Sequence, residues 1–150
     1  MEPVIVTSRN PELRYSTTDA PLEAAAMVVD AGLDEYNHSV APLDGVRPLA
    51  AFATSSDERI VGGAVGRTWG RCCELLQLWV EPANRHRGIG SELLKRFEAH
   101  GRSRGCNVFY LTTLSFQAPD FYVKAGYRPM AEITGYPEGI AKYLMHKIED

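Results

Sequence analysis

Apolar and polar positions change period several times along this chain. Val4 to Val6 is a short apolar run that reads as a lead-in, followed by a turn at Arg9, Asn10 and Pro11. Leu13 to Thr17 then alternates with the period of two expected of a half-buried strand. Thr18 or Asp19 can cap a helix with Pro21 in its first turn. From Pro21 to about Asp30, Leu22, Ala25, Ala26 and Val29 fall on one helical face. Gly32 is expected to end that helix, leaving Leu33 to His38 as a second short one. After a loop-like stretch with Pro42, Gly45 and Pro48, strands are predicted at Leu49–Thr54 and Ile60–Trp69 around a turn at Ser55, Ser56 and Asp57. Gly70 turns the chain into a third strand, Cys72–Val80, which completes an antiparallel meander. Gly62, Gly63 and Gly66 weaken the middle strand and mark a bulge or a close backbone approach.

The helical period returns from Ser91 to Ser103, where Leu93, Leu94 and Phe97 form an apolar stripe and Glu92 precedes Arg96 by four, the favourable order for an ion pair. Gly105 ends this helix, and Asn107–Thr112 is a short apolar strand. Strand, helix, strand in that order implies a right-handed crossover, so Cys72–Val80 and Asn107–Thr112 should pair in parallel. A further helix runs from Ala118 to Gly126 and carries Phe121, Tyr122 and Ala125. Tyr127–Ile133 and Lys142–Ile148 are the last strands.

Length and composition narrow the class. A chain of 150 residues is expected to form one domain, able to bury roughly 70% of its unfolded-chain surface. A net charge of −3 argues against nucleic acid as a partner. No stretch approaches the ~20 apolar residues of a membrane span, and the polar start MEPVIVTSRNPE is not a signal peptide. Cys72, Cys73 and Cys106 have no zinc spacing and no even disulfide set, so they are expected to be reduced packing residues of a cytoplasmic protein without a metal.

The chemistry concentrates between Trp79 and Leu94. An apolar strand ends at Val80, a polar turn follows, and Arg85, His86 and Arg87 precede Gly88 and Gly90, with Ser91 in the opening of a helix. Glycines allow backbone N–H groups to approach a ligand, and a helix start adds unpaired donors and partial positive charge. Together they suit a phosphate or diphosphate. A P-loop is excluded because no lysine follows either glycine. The dinucleotide fingerprint fits poorly: Gly88 lies eight positions past Val80, Leu93 replaces the third glycine, and Thr112 and Thr113 stand where an acid is wanted.

The remaining pattern is R-x-x-G-x-G between strand and helix, and here the chain resembles the GNAT superfamily of acyl-CoA-dependent N-acetyltransferases. LWVEPANRHRGIGSELLKRFE looks like its acyl-CoA segment, with Arg85, Gly88 and Gly90 in the signature positions. VFYLTTLSFQAPDFYVKAGYRP looks like the family's next strand and helix, and GYPEGIAKYLMHKIE resembles the tail of a bacterial subgroup. Residues 49 to 148 align without strain; residues 1 to 48 match only in helix placement. The resemblance implies an α+β domain over residues 1–150, a central mixed, mostly antiparallel twisted sheet of about six to seven strands flanked by about four helices.

It also implies roles. The diphosphate of acetyl-CoA, a co-substrate, would lie on Arg85, His86, Arg87, Gly88, Ile89, Gly90 and Ser91, bound mainly by main-chain amides. The pantetheine arm would pair with backbone near Leu78 and Val80, and the Val80 N–H would polarise the thioester carbonyl. Tyr122 matches the position that protonates the leaving thiolate; its alternative is a packing tyrosine. Glu74, six residues before Val80 and so on the same strand face by the period of two, is the candidate general base; its alternative is a structural ion pair. Glu81, Tyr36 and His38 are lesser candidates. Trp69, Trp79 and Tyr36 are expected around the acceptor, with at least one tryptophan in the core, and Asn37 and Thr113 as polar contacts. The implied acceptor is an amine, small molecule or peptide, with a homodimer as the expected assembly. A weak acyl-CoA-binding or sensing module is the rival reading.

Overall fold

Register in the central meander decides what the site looks like. The computed structural model describes residues 4–7 and 12–150, with side chains from Glu12 onward. The expected turn at Arg9 to Pro11 lies outside the described residues. Two compact units divide at Leu43 and Asp44.

In the first unit, β1 (Val4–Thr7) pairs antiparallel with β2 (Arg14–Thr17). The short apolar run is thus a strand, where the sequence pattern offered only a lead-in. Then α1 (Glu23–Val40) runs as one continuous helix through Gly32. A lone glycine costs a helix about 1 kcal/mol relative to alanine, which strong formers on either side outweigh.

The second unit holds β3 (Arg47–Thr54), β4 (Ile60–Trp69), β5 (Cys72–Val80), α2 (Ile89–Ser103), β6 (Val108–Leu114), α3 (Pro119–Lys124), β7 (Arg128–Ile133) and β8 (Lys142–Ile148). Its six strands form one sheet in the order β3-β4-β5-β6-β8-β7. Only β5 and β6 pair in parallel, joined through α2 as the crossover pattern requires. The fold is therefore α+β around a mixed, mostly antiparallel sheet. Among the described residues there are three α-helices rather than about four.

Leu93, Leu94 and Phe97 drive the stripe of α2 into one face of the sheet, against Leu49, Ala64, Cys73, Leu75, Phe109, Leu111 and Met145. Cys73 and Cys106 are buried with this core; Cys72 is exposed, against the packing role expected of it.

Two irregularities in β5 shape everything above this core. Opposite β4, Val65 pairs with Gln77 but Gly66 pairs with Leu75, so Leu76 is an extra residue, a bulge. Opposite β6, pairing runs only from Cys72↔Val108 to Leu75↔Leu111. Beyond that rung the two strands part, and β5 continues to Val80 without a ladder partner on this side.

Candidate active site

The parting of β5 and β6 leaves a cleft. One cavity of about 400 Å³ is lined by Leu78, Val80, Arg85, His86, Gly88, Ile89, Gly90 and Ser91 on one wall, and by Phe121 and Tyr122 on the other. A second, of about 670 Å³, shares Leu78, Val80 and Tyr122 and adds Leu76, Gln77, Thr112 and Thr113. The expected cofactor residues thus converge, with the exception of Arg87. Its Nη1 donates to Asn84 Oδ1 at 2.9 Å, and Asn84 Nδ2 in turn donates to Glu81 Oε2 at 2.8 Å. Arg59 Nη1 donates to the other oxygen of Glu81 at 3.0 Å. This places Glu81 in a structural role, tying the β3–β4 turn to the loop before α2.

The helix start leaves its main-chain donors open. Gly88 caps α2 with φ +77°, in the left-handed region, and no side chain caps the first turn. The first helical bond runs from Glu92 N–H to Gly88 C=O at 3.1 Å. The N–H groups of Ile89, Gly90 and Ser91 therefore have no partner inside the helix, and all three residues line the cleft. His86, also left-handed at φ +62°, bends the preceding turn. These unclaimed donors at the positive end of a helix fit a diphosphate.

The end of β5 is equally prepared. Glu81 N–H donates to Val61 C=O at 2.7 Å, which makes Val61 and Glu81 a hydrogen-bonded pair. An antiparallel ladder alternates, so Leu78 and Val80, opposite Ala64 and Gly62, aim their N–H and C=O groups away from β4 and into the cleft. Arg85 Nε donates to the Val80 carbonyl at 2.9 Å and pins it. The Val80 N–H is left facing the opening.

Tyr122, the buried residue of α3, faces these donors. Its ring meets Phe121 edge-on at 5.1 Å and Tyr127 at 5.9 Å. Among the described residues its hydroxyl has no hydrogen-bond partner. Burial pushes its phenol up to about 12, so at neutral pH it is a neutral O–H donor. The same burial makes a stability prediction. The unfolded chain releases this proton near pH 10, which the folded chain resists up to about 12. The contribution is complete below about pH 10 and is lost as pH rises through about 12. Urea titrations across that window should show wild type losing stability more steeply than Tyr122→Phe; identical slopes would contradict it.

Glu74 departs from expectation. The Leu76 bulge inverts the alternation within β5: Cys73 and Leu75 face the α2 side before it, Leu78 and Val80 after it. Glu74 consequently lies on the sheet face opposite the Val80 side chain, not the same one. Its Oε1 accepts from Arg67 Nε at 3.1 Å and Arg67 Nη2 at 2.8 Å. Tyr110, pushed up to about 12 by burial and by a hydrogen bond to Glu74, closes a small cavity of about 150 Å³ around the carboxylate. Leu76 and Thr112 line both this cavity and the larger cleft, so Glu74 borders the cleft from the far face.

Of the aromatic candidates, Trp79 lines the cleft and is 51% exposed. Trp69 is exposed too, so neither tryptophan is core. Thr113 lines the cleft, while Tyr36 is exposed on α1 and His38 Nδ1 bonds the Asp34 carbonyl at 2.8 Å. Asn37 contributes its carbonyl to the end of α1. Sequence reasoning missed Gln117 and Ala118, the latter left-handed at φ +64° before Pro119. The ion pair offered as the alternative for Glu74 is present, and its partner Arg67, which the sequence reading did not name, is set by the register of the two-residue turn at Gly70 and Arg71. Among the described residues no group of three or more His, Cys, Asp or Glu side chains could hold a metal. No described helix is long and apolar enough to cross a membrane.

A splayed parallel pair, a bulge and an uncapped helix start thus frame one cleft, and comparison with known proteins gives the family. Residues 17–127 match the model of the Acetyltransferase (GNAT) family, and the chain belongs to that family. It is 40% identical over 110 residues to a blasticidin-S acetyltransferase of Streptomyces morookaense, covering 71% of this chain and 81% of that one. An acetyltransferase of Agrobacterium fabrum is 30% identical over 93 residues, 62% of this chain and 68% of that one. Among solved structures, an acetyltransferase from Bacillus cereus superimposes with a TM-score of 0.74 at 26% identity, covering 89% of this chain and 97% of that one.

Proposed function

We propose that this acetyltransferase moves the acetyl group of acetyl-CoA directly to a primary amine, with Tyr122 as general acid. The observation that carries the reading is the convergence on one cleft of the α2 start, the Val80 N–H and the Tyr122 ring. Main-chain donors from Ile89 to Ser91 hold the diphosphate, and the free edge of β5 at Leu78 and Val80 accepts the pantetheine arm as an added strand would. The Val80 N–H stabilises charge developing on the thioester oxygen.

The neutral amine attacks the acetyl carbon, the C–N bond forms and the C–S bond breaks. The thiolate takes the Tyr122 proton, and the phenolate recovers one from solvent. The proton lost by the amine passes to Glu74 through water and on to solvent. This requires the amine to arrive on the face that Glu74 shares with Trp79, opposite α2. Similarity to a blasticidin-S acetyltransferase favours a small-molecule amine over a peptide as acceptor.

The test is thiol release from acetyl-CoA against a panel of amines that includes blasticidin S, alongside thermal shift with acetyl-CoA alone. Amine-dependent thiol release is expected. Stabilisation of about 2–3 kcal/mol at a hundredfold excess over Kd, with no amine releasing thiol, would instead establish a binding or sensing module.

A further inference from the structure

We infer that a buried charge cluster behind α3, formed by Tyr127, Glu98 and Lys147, sets the position of the Tyr122 hydroxyl, so that these three are positioning residues for the acid. The inference rests on the general-acid reading of Tyr122.

With six residues, α3 is too short to be stable alone, so tertiary contacts must fix its direction. Those contacts come from the chain that leaves it. Tyr127 N–H donates to the Tyr122 carbonyl at 2.9 Å, and the Tyr127 ring meets the Tyr122 ring at 77°. The Tyr127 hydroxyl donates to Glu98 Oε2 at 2.8 Å. Lys147 Nζ reaches the same oxygen at 2.6 Å and donates to the Ala125 carbonyl at 3.0 Å. It also sits 5.1 Å over the Tyr127 ring. Arg102, 3.9 Å from Glu98 Oε1, is itself held by Glu149 at 2.6 Å. Glu98 and Tyr127 are buried, so the bonds are shielded from water.

Geometry explains why such a cluster belongs there. Glu98 stands on α2, the helix whose first turn forms the anion site. From Ile89 to Glu98 the helix rises about 14 Å. One rod thus indexes both the donor grip and, through Glu98, Tyr127 and Lys147, the ring that delivers the proton. A purely apolar contact would bury the same surface without fixing the angle, whereas hydrogen bonds to one carboxylate oxygen fix it.

Two measurements test this. Turnover is read as thiol release from acetyl-CoA with the best acceptor that the amine panel identifies. Ring position is read as the Tyr122 signal in protein carrying 13Cζ-tyrosine, assigned with Tyr122→Phe. Tyr127→Phe is expected to lower kcat roughly tenfold, to leave KM for acetyl-CoA within about twofold, and to shift or broaden the Tyr122 signal. In a Tyr122→Phe background the same change should cost less than about twofold, because the residue it positions is gone. An unmoved Tyr122 signal, an unchanged kcat, or an equal loss in both backgrounds would overturn the inference. Tyr122→Phe at full rate, with the Tyr122 signal still displaced by Tyr127→Phe, would overturn the acid role while leaving the positioning contact standing. Should Tyr127→Phe not fold, Glu98→Gln, which keeps an acceptor for the Tyr127 hydroxyl but no charge for Lys147, carries the same comparisons.

Discussion

Replacing Gly66 by alanine is expected to cost about 3 kcal/mol of stability and to lower Tm by roughly 6–12 °C. A Cβ there would lie 1.9 Å from the Glu74 carbonyl oxygen and 2.8 Å from Phe97 Cζ. Neither neighbour can yield cheaply. The first is backbone of β5 one rung from the Leu76 bulge, and the second is the ring at the centre of the core. Relief therefore means pushing β5 away from β4, which would also move Leu78 and Val80 at the cleft. Acetyl-CoA affinity should fall with stability in the same variant. Thermal and urea unfolding, with calorimetry against acetyl-CoA, would check both; a loss below about 0.5 kcal/mol would show that the strands can part there freely.

Tyr122→Phe should reduce kcat on the order of a hundredfold, the lower range for loss of a positioned proton donor. The substitution removes one oxygen and nothing else. The edge-on ring contacts with Phe121 and Tyr127 persist, and among the described residues no hydrogen bond is broken. Affinity for acetyl-CoA should stay within about twofold, since the donors proposed for the diphosphate belong to α2. Steady-state kinetics with binding calorimetry separates the possibilities. A packing tyrosine predicts silence in rate, so turnover within about twofold of wild type removes the assigned role.

The two strands that frame the bulge could be read to the residue, because Gly70 and the turn at Ser55 to Asp57 punctuate them. Ile60–Trp69, Cys72–Val80 and Lys142–Ile148 have the bounds the pattern predicts. The main-chain arrangement at the α2 start was readable for a different reason: glycines where a helix begins can be recognised whatever surrounds them. The face of Glu74 was not readable. A bulge is a property of two paired strands, and counting by two along β5 alone cannot see the residue that β4 leaves unmatched. Gly66 marked the place, but not which strand carried the insertion. Arg87 shows a related limit, since a basic side chain beside an anion site still goes to its nearest acceptor, Asn84. The expectation of a tryptophan in the core failed because Trp79, on the sheet face opposite the Val80 side chain, is exposed, and Trp69 is exposed as well.

The uncapped start of α2 has a consequence for how this enzyme can change. On the proposed function, the thioester carrier is held by amide protons, which every amino acid but proline supplies. On that reading substitutions would accumulate around the acceptor, across the face that Glu74 and Trp79 share, without loosening the hold on the carrier. New substrates would then become reachable by replacing a few surface residues, while the machinery that presents the acyl group is inherited unaltered.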